Sequence, residues 1–295
     1  MNDELPVTER VDASTASIDS LATPELARLL AEVHRIAVDA VCASSEPIAA
    51  AIEMVARTIA SGGNVHYVGA GTSGRLAVLD AAELPPTFGV DPGVVDAHIA
   101  GGDVALRRAV EGAEDDRTRG VADLAHVRAG DVVIGISASG GAPYVCAALA
   151  HARETGASTI AIANVSGSPL ERDASVAIVL ETGAEPIAGS TRMRAGTAQK
   201  IALNAISTGA MIVLGKTYGN RMVDLVATNA KLRARAERLV REIGASEVDA
   251  ADLLERARGR VKTAIVMARL ECDAIDADRK LADAGGRLAA VIGPG

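Results

Sequence analysis

Val65-His66-Tyr67-Val68-Gly69-Ala70-Gly71-Thr72-Ser73-Gly74-Arg75-Leu76-Ala77-Val78-Leu79-Asp80-Ala81-Ala82-Glu83 is the stretch that decides how this chain folds. Val65 to Gly69 reads as a short strand entering a glycine loop. A helix follows from about Ser73 to Glu83, stopped by Pro85-Pro86. Strand, glycine loop and helix in that order open a βαβ unit. Downstream, Val95 to Ala100 reads as a second strand ending at Gly101-Gly102. Asp103 then caps a helix, with Glu114 in it or just after it. Asp131-Val132-Val133-Ile134-Gly135-Ile136 is a continuous apolar run, as expected of a strand buried on both faces. It runs into Ser137-Ala138-Ser139-Gly140-Gly141 and a helix from Pro143 to Thr155. Ser158 to Ala163 and Val176 to Leu180 supply two more strands. This alternation predicts an α/β fold on a five-stranded, mainly parallel sheet with right-handed crossovers.

The flanks are helical. Residues 1–22 are polar and read as an arm. Thr23-Pro24 is a helix start, with apolar residues at helical spacing from Leu26 to Ala40, and a second helix runs from about Glu46 to Ala60. After Gly189 a long helix is predicted from about Met193 to Gly215. Beyond Asn220 the chain is helical and charged, broken at Gly244, Gly259 and Gly285-Gly286. The resulting division is an N-terminal arm with helices over 1–54, a ligand-binding α/β domain over 55–218 and a small helical domain over 219–295.

Composition narrows the function. Aromatic residues are only 1% of the chain, so base stacking is nearly unavailable and a nucleic-acid partner is not expected. The net charge of −8 leaves room for a local anion site at a helix start. Cys42, Cys146 and Cys272 are far apart and the five histidines are dispersed, so neither a disulfide framework nor a metal site is expected. The start, Met1-Asn2-Asp3-Glu4, has no basic and apolar leader pattern. No apolar run reaches the ~18 residues of a membrane span, so a cytoplasmic location without membrane contact is expected.

In a parallel sheet, ligands gather beyond the carboxyl ends of the strands. Three hydroxyl- and glycine-rich loops belong at that edge: Gly71-Thr72-Ser73-Gly74, Ser137-Ala138-Ser139-Gly140 and Gly189-Ser190-Thr191-Arg192. Hydroxyls and backbone N–H groups at helix starts bind phosphate oxygens. Gly69-x-Gly71-x-x-Gly74 also fits the dinucleotide fingerprint, but the acidic residue that would follow, Asp96, falls at the start of its strand rather than the end. A phosphosugar site, a dinucleotide site and plain structural turns all fit these loops. Ser73 and Ser190 are also ordinary helix-cap residues, Arg192 an ordinary surface cation, and Glu83 and Glu114 ordinary helix-end carboxylates.

A longer pattern resembles the N-acetylmuramic acid 6-phosphate etherase family. It comprises Gly69 to Gly89, including Asp80-Ala81-Ala82-Glu83-Leu84-Pro85-Pro86-Thr87-Phe88-Gly89, then Glu114-Asp115 and Gly135-Ile136-Ser137-Ala138-Ser139-Gly140. It continues through Gly189-Ser190-Thr191-Arg192-Met193-Arg194-Ala195-Gly196-Thr197-Ala198-Gln199-Lys200, Leu203-Asn204 and Gly215-Lys216-x-Tyr218-x-Asn220-x-Met222-Val223-Asp224. The resemblance covers roughly residues 8–240. It implies a sugar isomerase (SIS) fold built as a three-layer sandwich, a homodimer, a phosphorylated amino sugar as ligand, and no metal or other cofactor. It also implies release of D-lactate from N-acetylmuramic acid 6-phosphate in cell-wall amino-sugar recycling, with catalytic acids at Glu83 and Glu114. Substrate contacts are expected at Thr72, Ser73, Ser137, Ser139, Gly140, Ser190, Thr191 and Arg192. Three places depart from the family pattern. Val11-Asp12 follows Thr8-Glu9-Arg10 where Asn is usual, Gly141-Ala142 replaces Arg-Thr, and Arg194 replaces Lys.

The chemistry explains why two carboxyl groups are needed. An unactivated ether has a poor leaving group. In the open-chain sugar the aldehyde acidifies the C2 proton; one carboxylate removes it while a carboxylic acid protonates the departing lactyl oxygen at C3. Water then adds across the double bond. Each such group typically contributes ~10²–10⁴-fold, and the two must carry different protonation states at once. Glu83 is assigned to the leaving group and Glu114 to the C2 proton. A sugar-phosphate isomerase and a non-catalytic phosphosugar sensor are the rival readings on the same fold.

Overall fold

A computed structural model describes residues 5–225, 230–244 and 249–295; Met1–Glu4, read above for a leader, lie outside them. Three helices precede the sheet: α1 (Thr23–Glu32), α2 (Arg35–Ala43) and α3 (Ser45–Ala60). The sheet alternates with helices: β1 (Val65–Gly69), α4 (Gly71–Phe88), β2 (Val95–Ile99), the single turn α5 (Val104–Arg107), α6 (Arg117–Asp123), β3 (Val132–Ser137), α7 (Pro143–Glu154), β4 (Ser158–Ala163) and β5 (Val176–Val179). The long α8 (Arg194–Val213) follows. Every pairing in the order β2-β1-β3-β4-β5 is parallel. β1 and β3 are buried along their whole length, as continuous apolar runs require when both faces are covered. One face carries Val68, Val133 and Ala161 against Leu124, Val127 and Leu149. α7 packs on β1, β3 and β4, and α3 on β1, β3 and β5.

The chain divides into two compact units. One holds the chain up to Ala82 with Gly93–Ser207, and the other holds Glu83–Pro92 with Thr208–Gly295. The second has its own core, in which α9 (Ala230–Leu239), α10 (Ala250–Arg256), α11 (Val261–Leu270), α12 (Ala274–Asp283) and α13 (Leu288–Ile292) gather around Val240, Val261, Ile265 and Val266. Within it Asp224 pairs with Lys216 at 3.1 Å and Lys262 at 2.8 Å.

Two expected boundaries move. α4 does not stop before Pro85-Pro86 but runs to Phe88. A proline removes the amide bond to the carbonyl four residues back, yet its own carbonyl still accepts, and the Gly89 N–H donates to the Pro85 carbonyl at 3.0 Å. Burial of Leu84 and Phe88 holds this last turn in place. The helix read from Thr23 to Ala40 instead breaks at Val33-His34 into α1 and α2.

Candidate active site

The turn after β1 is tight because two glycines touch. A Cβ on Gly69 would lie 2.7 Å from the Gly74 nitrogen, and one on Gly74 would lie 2.8 Å from the Gly69 oxygen and 2.6 Å from Ile99 Cγ1. This contact seats α4 directly on the strand and turns its start toward the sheet edge. There Gly71, Thr72 and Ser73 line a cleft of about 730 Å³, together with Ser137, Ser139, Gly189 and Thr191. That volume is ordinary for a small-molecule site. All three loops picked out in the sequence therefore border one cleft at the carboxyl ends of the strands. Glu114 and Asp115 line it as well, carried on a short 3₁₀ turn (Ala113–Asp115).

Not every predicted contact faces this space. Gly140, Ser190 and Arg192 are not among its lining residues. Gly140 is buried behind the loop at φ +65°, where a Cβ would meet Ser168 Oγ at 2.2 Å. Arg192 is exposed. Glu83 is exposed on α4, twelve residues beyond Gly71, about 18 Å along the axis at 1.5 Å per residue.

The helix starts at this edge are not equivalent. Glu185 accepts the amides of Arg194 at 2.8 Å and Ala195 at 2.9 Å, so α8 opens against a buried carboxylate rather than toward a ligand. Burial pushes the Glu185 carboxyl above its ordinary range, opposed by those two amides. α7 begins at Pro143, which has no N–H to offer. The start of α4 is thus the helix terminus best placed for an anion, with Ser137 and Ser139 lining the same cleft. Ser73 has a second duty. Its hydroxyl donates to Gln199 Oε1 at 2.8 Å, Gln199 donates to Asn164 Oδ1 at 3.0 Å, and Asn164 donates to the Leu180 carbonyl at 2.9 Å. This buried chain ties the glycine loop to α8 and to the ends of β4 and β5.

Sequence reasoning missed two parts of the cleft. The loop after β4, Val165-Ser166-Gly167-Ser168, lines it, and its position after a strand was a usable signal. The N-terminal arm also lines it, through Pro6, Thr8 and Glu9. Thr8 is buried with its hydroxyl unpartnered, while its carbonyl accepts Gly189 N–H at 3.0 Å. The Glu9 carboxylate lies against Gly189, where a Cβ would meet it at 2.8 Å. Arg194 fastens this arm. It donates to Asp12 at 2.7 Å, to the Ala184 carbonyl, and through Nε to the Val33 carbonyl at 3.1 Å. Two departures from the family pattern, Asp12 and Arg194, therefore meet as one ion pair. Burial works against the charge on Asp12, but hydrogen bonds from Ser14 and Arg194 hold its carboxyl below the ordinary range.

The parallel sheet and the hydroxyl-rich cleft at its carboxyl edge fit the SIS class of α/β domains. The SIS domain model matches residues 109–209, and the model of the glucokinase regulatory protein N-terminal SIS domain matches residues 47–153. A phosphoheptose isomerase from Francisella tularensis superimposes with a TM-score of 0.50, covering 64% of this chain and 98% of that one at 17% identity, a likeness of fold. Several relatives that match nearly the whole chain carry the name N-acetylmuramic acid 6-phosphate etherase. That of Geobacillus thermodenitrificans is 47% identical, covering 95% of this chain and 96% of its own. That of Deinococcus radiodurans is 47% identical over 98% and 95%, and that of Gloeobacter violaceus 48% identical over 98% and 97%. The chain belongs to the N-acetylmuramic acid 6-phosphate etherase family.

Proposed function

We propose that this protein is a carbon–oxygen lyase that cleaves the D-lactyl ether of N-acetylmuramic acid 6-phosphate, giving N-acetylglucosamine 6-phosphate and D-lactate. The observation that carries the reading is Glu114, which faces the hydroxyl-rich glycine loops across one cleft at the strands' carboxyl ends. The phosphate lies at the start of α4, against Thr72, Ser137 and Ser139, with Thr191 lining the same cleft. Its binding energy orients the sugar so that C2 meets Glu114. Glu114 removes the C2 proton, lactate departs from C3, and water adds across the double bond. The Glu9 carboxylate closes the cleft from the arm and would hydrogen-bond sugar hydroxyls.

The proton for the departing oxygen comes from Glu83 of a second subunit. Within one chain, about 18 Å of helix separates Glu83 from the cleft-lining Gly71. Leu79, one turn before Glu83, is 52% exposed, so this stretch of α4 offers an apolar contact beside the carboxylate. A two-fold homodimer would cover it and give both sites the same composition. Among the described residues no helix is long and apolar enough to cross a membrane, and the cytoplasm is the location proposed.

Incubation with N-acetylmuramic acid 6-phosphate in ¹⁸O-water, followed by lactate assay and mass spectrometry of the sugar, tests the reaction. Lactate release with the label on the sugar's C3 hydroxyl is expected. Absence of lactate, or label on lactate, would refute it.

A further inference from the structure

Three of the five histidines meet on one face of the sheet, outside the cleft. Register pairs His66 with Asp96 and Val68 with His98, so His66 on β1 and His98 on β2 project from the same side. Val68 on that side packs in one cluster with Leu124 and Val127, which flank His126 in the segment after α6. One ligand nitrogen from each of His66, His98 and His126 lies within 4.8 Å of the others, and the ring centroids are 5.0 to 5.8 Å apart. None of the three lines the cleft that holds Glu114.

These rings lack the partners that buried imidazoles ordinarily have. Both nitrogens of His66 are buried without a hydrogen bond, and so is Nε2 of His98. Buried polar atoms without a partner are uncommon and costly. The carboxylate nearest His66 does not relieve it. Asp131 stands 3.9 Å from Nε2 and already accepts the amides of Asn64 at 2.9 Å and Arg128 at 3.1 Å. Protonation does not relieve it either, since three imidazolium ions at this spacing would repel. Burial, with help from His98 and His126, lowers the His66 pKa to about 4, and burial lowers that of His98. Neutral imidazole is the form that ligates metals.

We propose that His66, His98 and His126 form a binding site for one divalent late first-row transition-metal ion, of which zinc is the representative. Imidazole suits Zn²⁺, Ni²⁺ and Cu²⁺ better than Mg²⁺ or Ca²⁺. A tetrahedral zinc with bonds of about 2.0–2.1 Å needs ligand nitrogens a little over 3 Å apart, so each ring closes inward by less than about 1 Å. His126 is exposed and His98 half-buried, so both have room to turn toward the fixed His66. The fourth position opens to solvent beside His126. Asp96, whose carboxylate is 3.8 Å from His98 Nε2, stands at the edge of the site. The bound ion would pin edge strand β2 and the segment after α6 to β1. None of its ligands lines the cleft proposed for the lyase chemistry, so the two assignments stand or fall separately.

The test uses the full chain without an affinity tag, stripped with chelator, titrated with ZnCl2 by calorimetry and with CoCl2 by visible absorption. One ion per chain and the intense d–d bands of tetrahedral cobalt are expected. His126→Ala and His98→Gln should each weaken zinc binding at least about tenfold and abolish the cobalt bands, while His151→Ala leaves both unchanged. Zinc should raise the melting temperature of the parent chain and not of His126→Ala. Absence of binding, or binding that survives both substitutions with the same stoichiometry and affinity, would overturn the site.

Discussion

Co-expressing two inactive variants tests whether each site draws on two chains. Glu83→Gln and Glu114→Gln each remove one proton-transfer group, and each alone should lose about 10²–10⁴-fold in turnover. Glu114 lines the cleft of its own chain, and Glu83 sits twelve residues along α4 from the cleft-lining Gly71. At 1.5 Å per residue the axial separation is about 18 Å, longer than a hexose phosphate. If Glu83 crosses to the neighbouring site, a heterodimer of the two variants contains one site with both carboxyl groups intact and one with both removed. Carrying the variants on different affinity tags and purifying in tandem isolates that heterodimer. Its lactate release should be about half that of the wild-type dimer, as two equivalent sites in a two-fold dimer require. Activity no higher than that of the single variants would show that Glu83 does not serve the neighbouring site. Failure to recover any mixed dimer would remove the homodimer itself.

Further outcomes follow from the same geometry. Arg194→Ala strands Asp12 and frees two backbone carbonyls, and should destabilise by about 2–4 kcal/mol; pairing it with Asp12→Ala in a denaturant double-mutant cycle should recover a coupling of about 1–3 kcal/mol. Because the folded Asp12 pKa is depressed, the stability it contributes is complete above its unfolded value and is lost as pH falls through the folded one. The acid side of the stability profile should therefore be shallower in Arg194→Ala, and an unchanged profile would count against the pair. Ser73→Ala leaves Gln199 Oε1 without its donor and should cost about 1–3 kcal/mol in stability, whereas Ser139→Ala should raise KM with little change in kcat. Gly140→Ala places a Cβ 2.2 Å from Ser168 Oγ at φ +65°. It should lower the melting temperature by more than Ser73→Ala does, and adding Ser168→Gly should restore only part of the loss, because the backbone strain persists.

What could be read from the chain alone was local. The strand ending at Gly69, the glycine contact with Gly74 and the buried run of β3 follow from spacing and residue type. Together with the parallel-sheet rule they bring Thr72, Ser137 and Thr191 to one edge. The arm was harder to place. Thr8 and Glu9 belong to a polar stretch whose position depends on an ion pair between Asp12 and Arg194, 182 residues apart. No periodicity reports a contact of that range.

The histidines and Glu83 show the same limit from opposite sides. His66 and His98 look dispersed along the chain, yet the strand order β2-β1-β3 makes their strands neighbours, and the shared register puts both rings on one face. Glu83 looks close to the glycine loop, because the two belong to one continuous motif. A helix converts closeness in sequence into distance at a fixed rate, and twelve residues of it run from Gly71 to Glu83. If Glu83 serves the neighbouring site, the same segment of α4 supplies an anion-binding start to its own chain and a proton donor to the other, and a monomer holds the phosphate but lacks the acid.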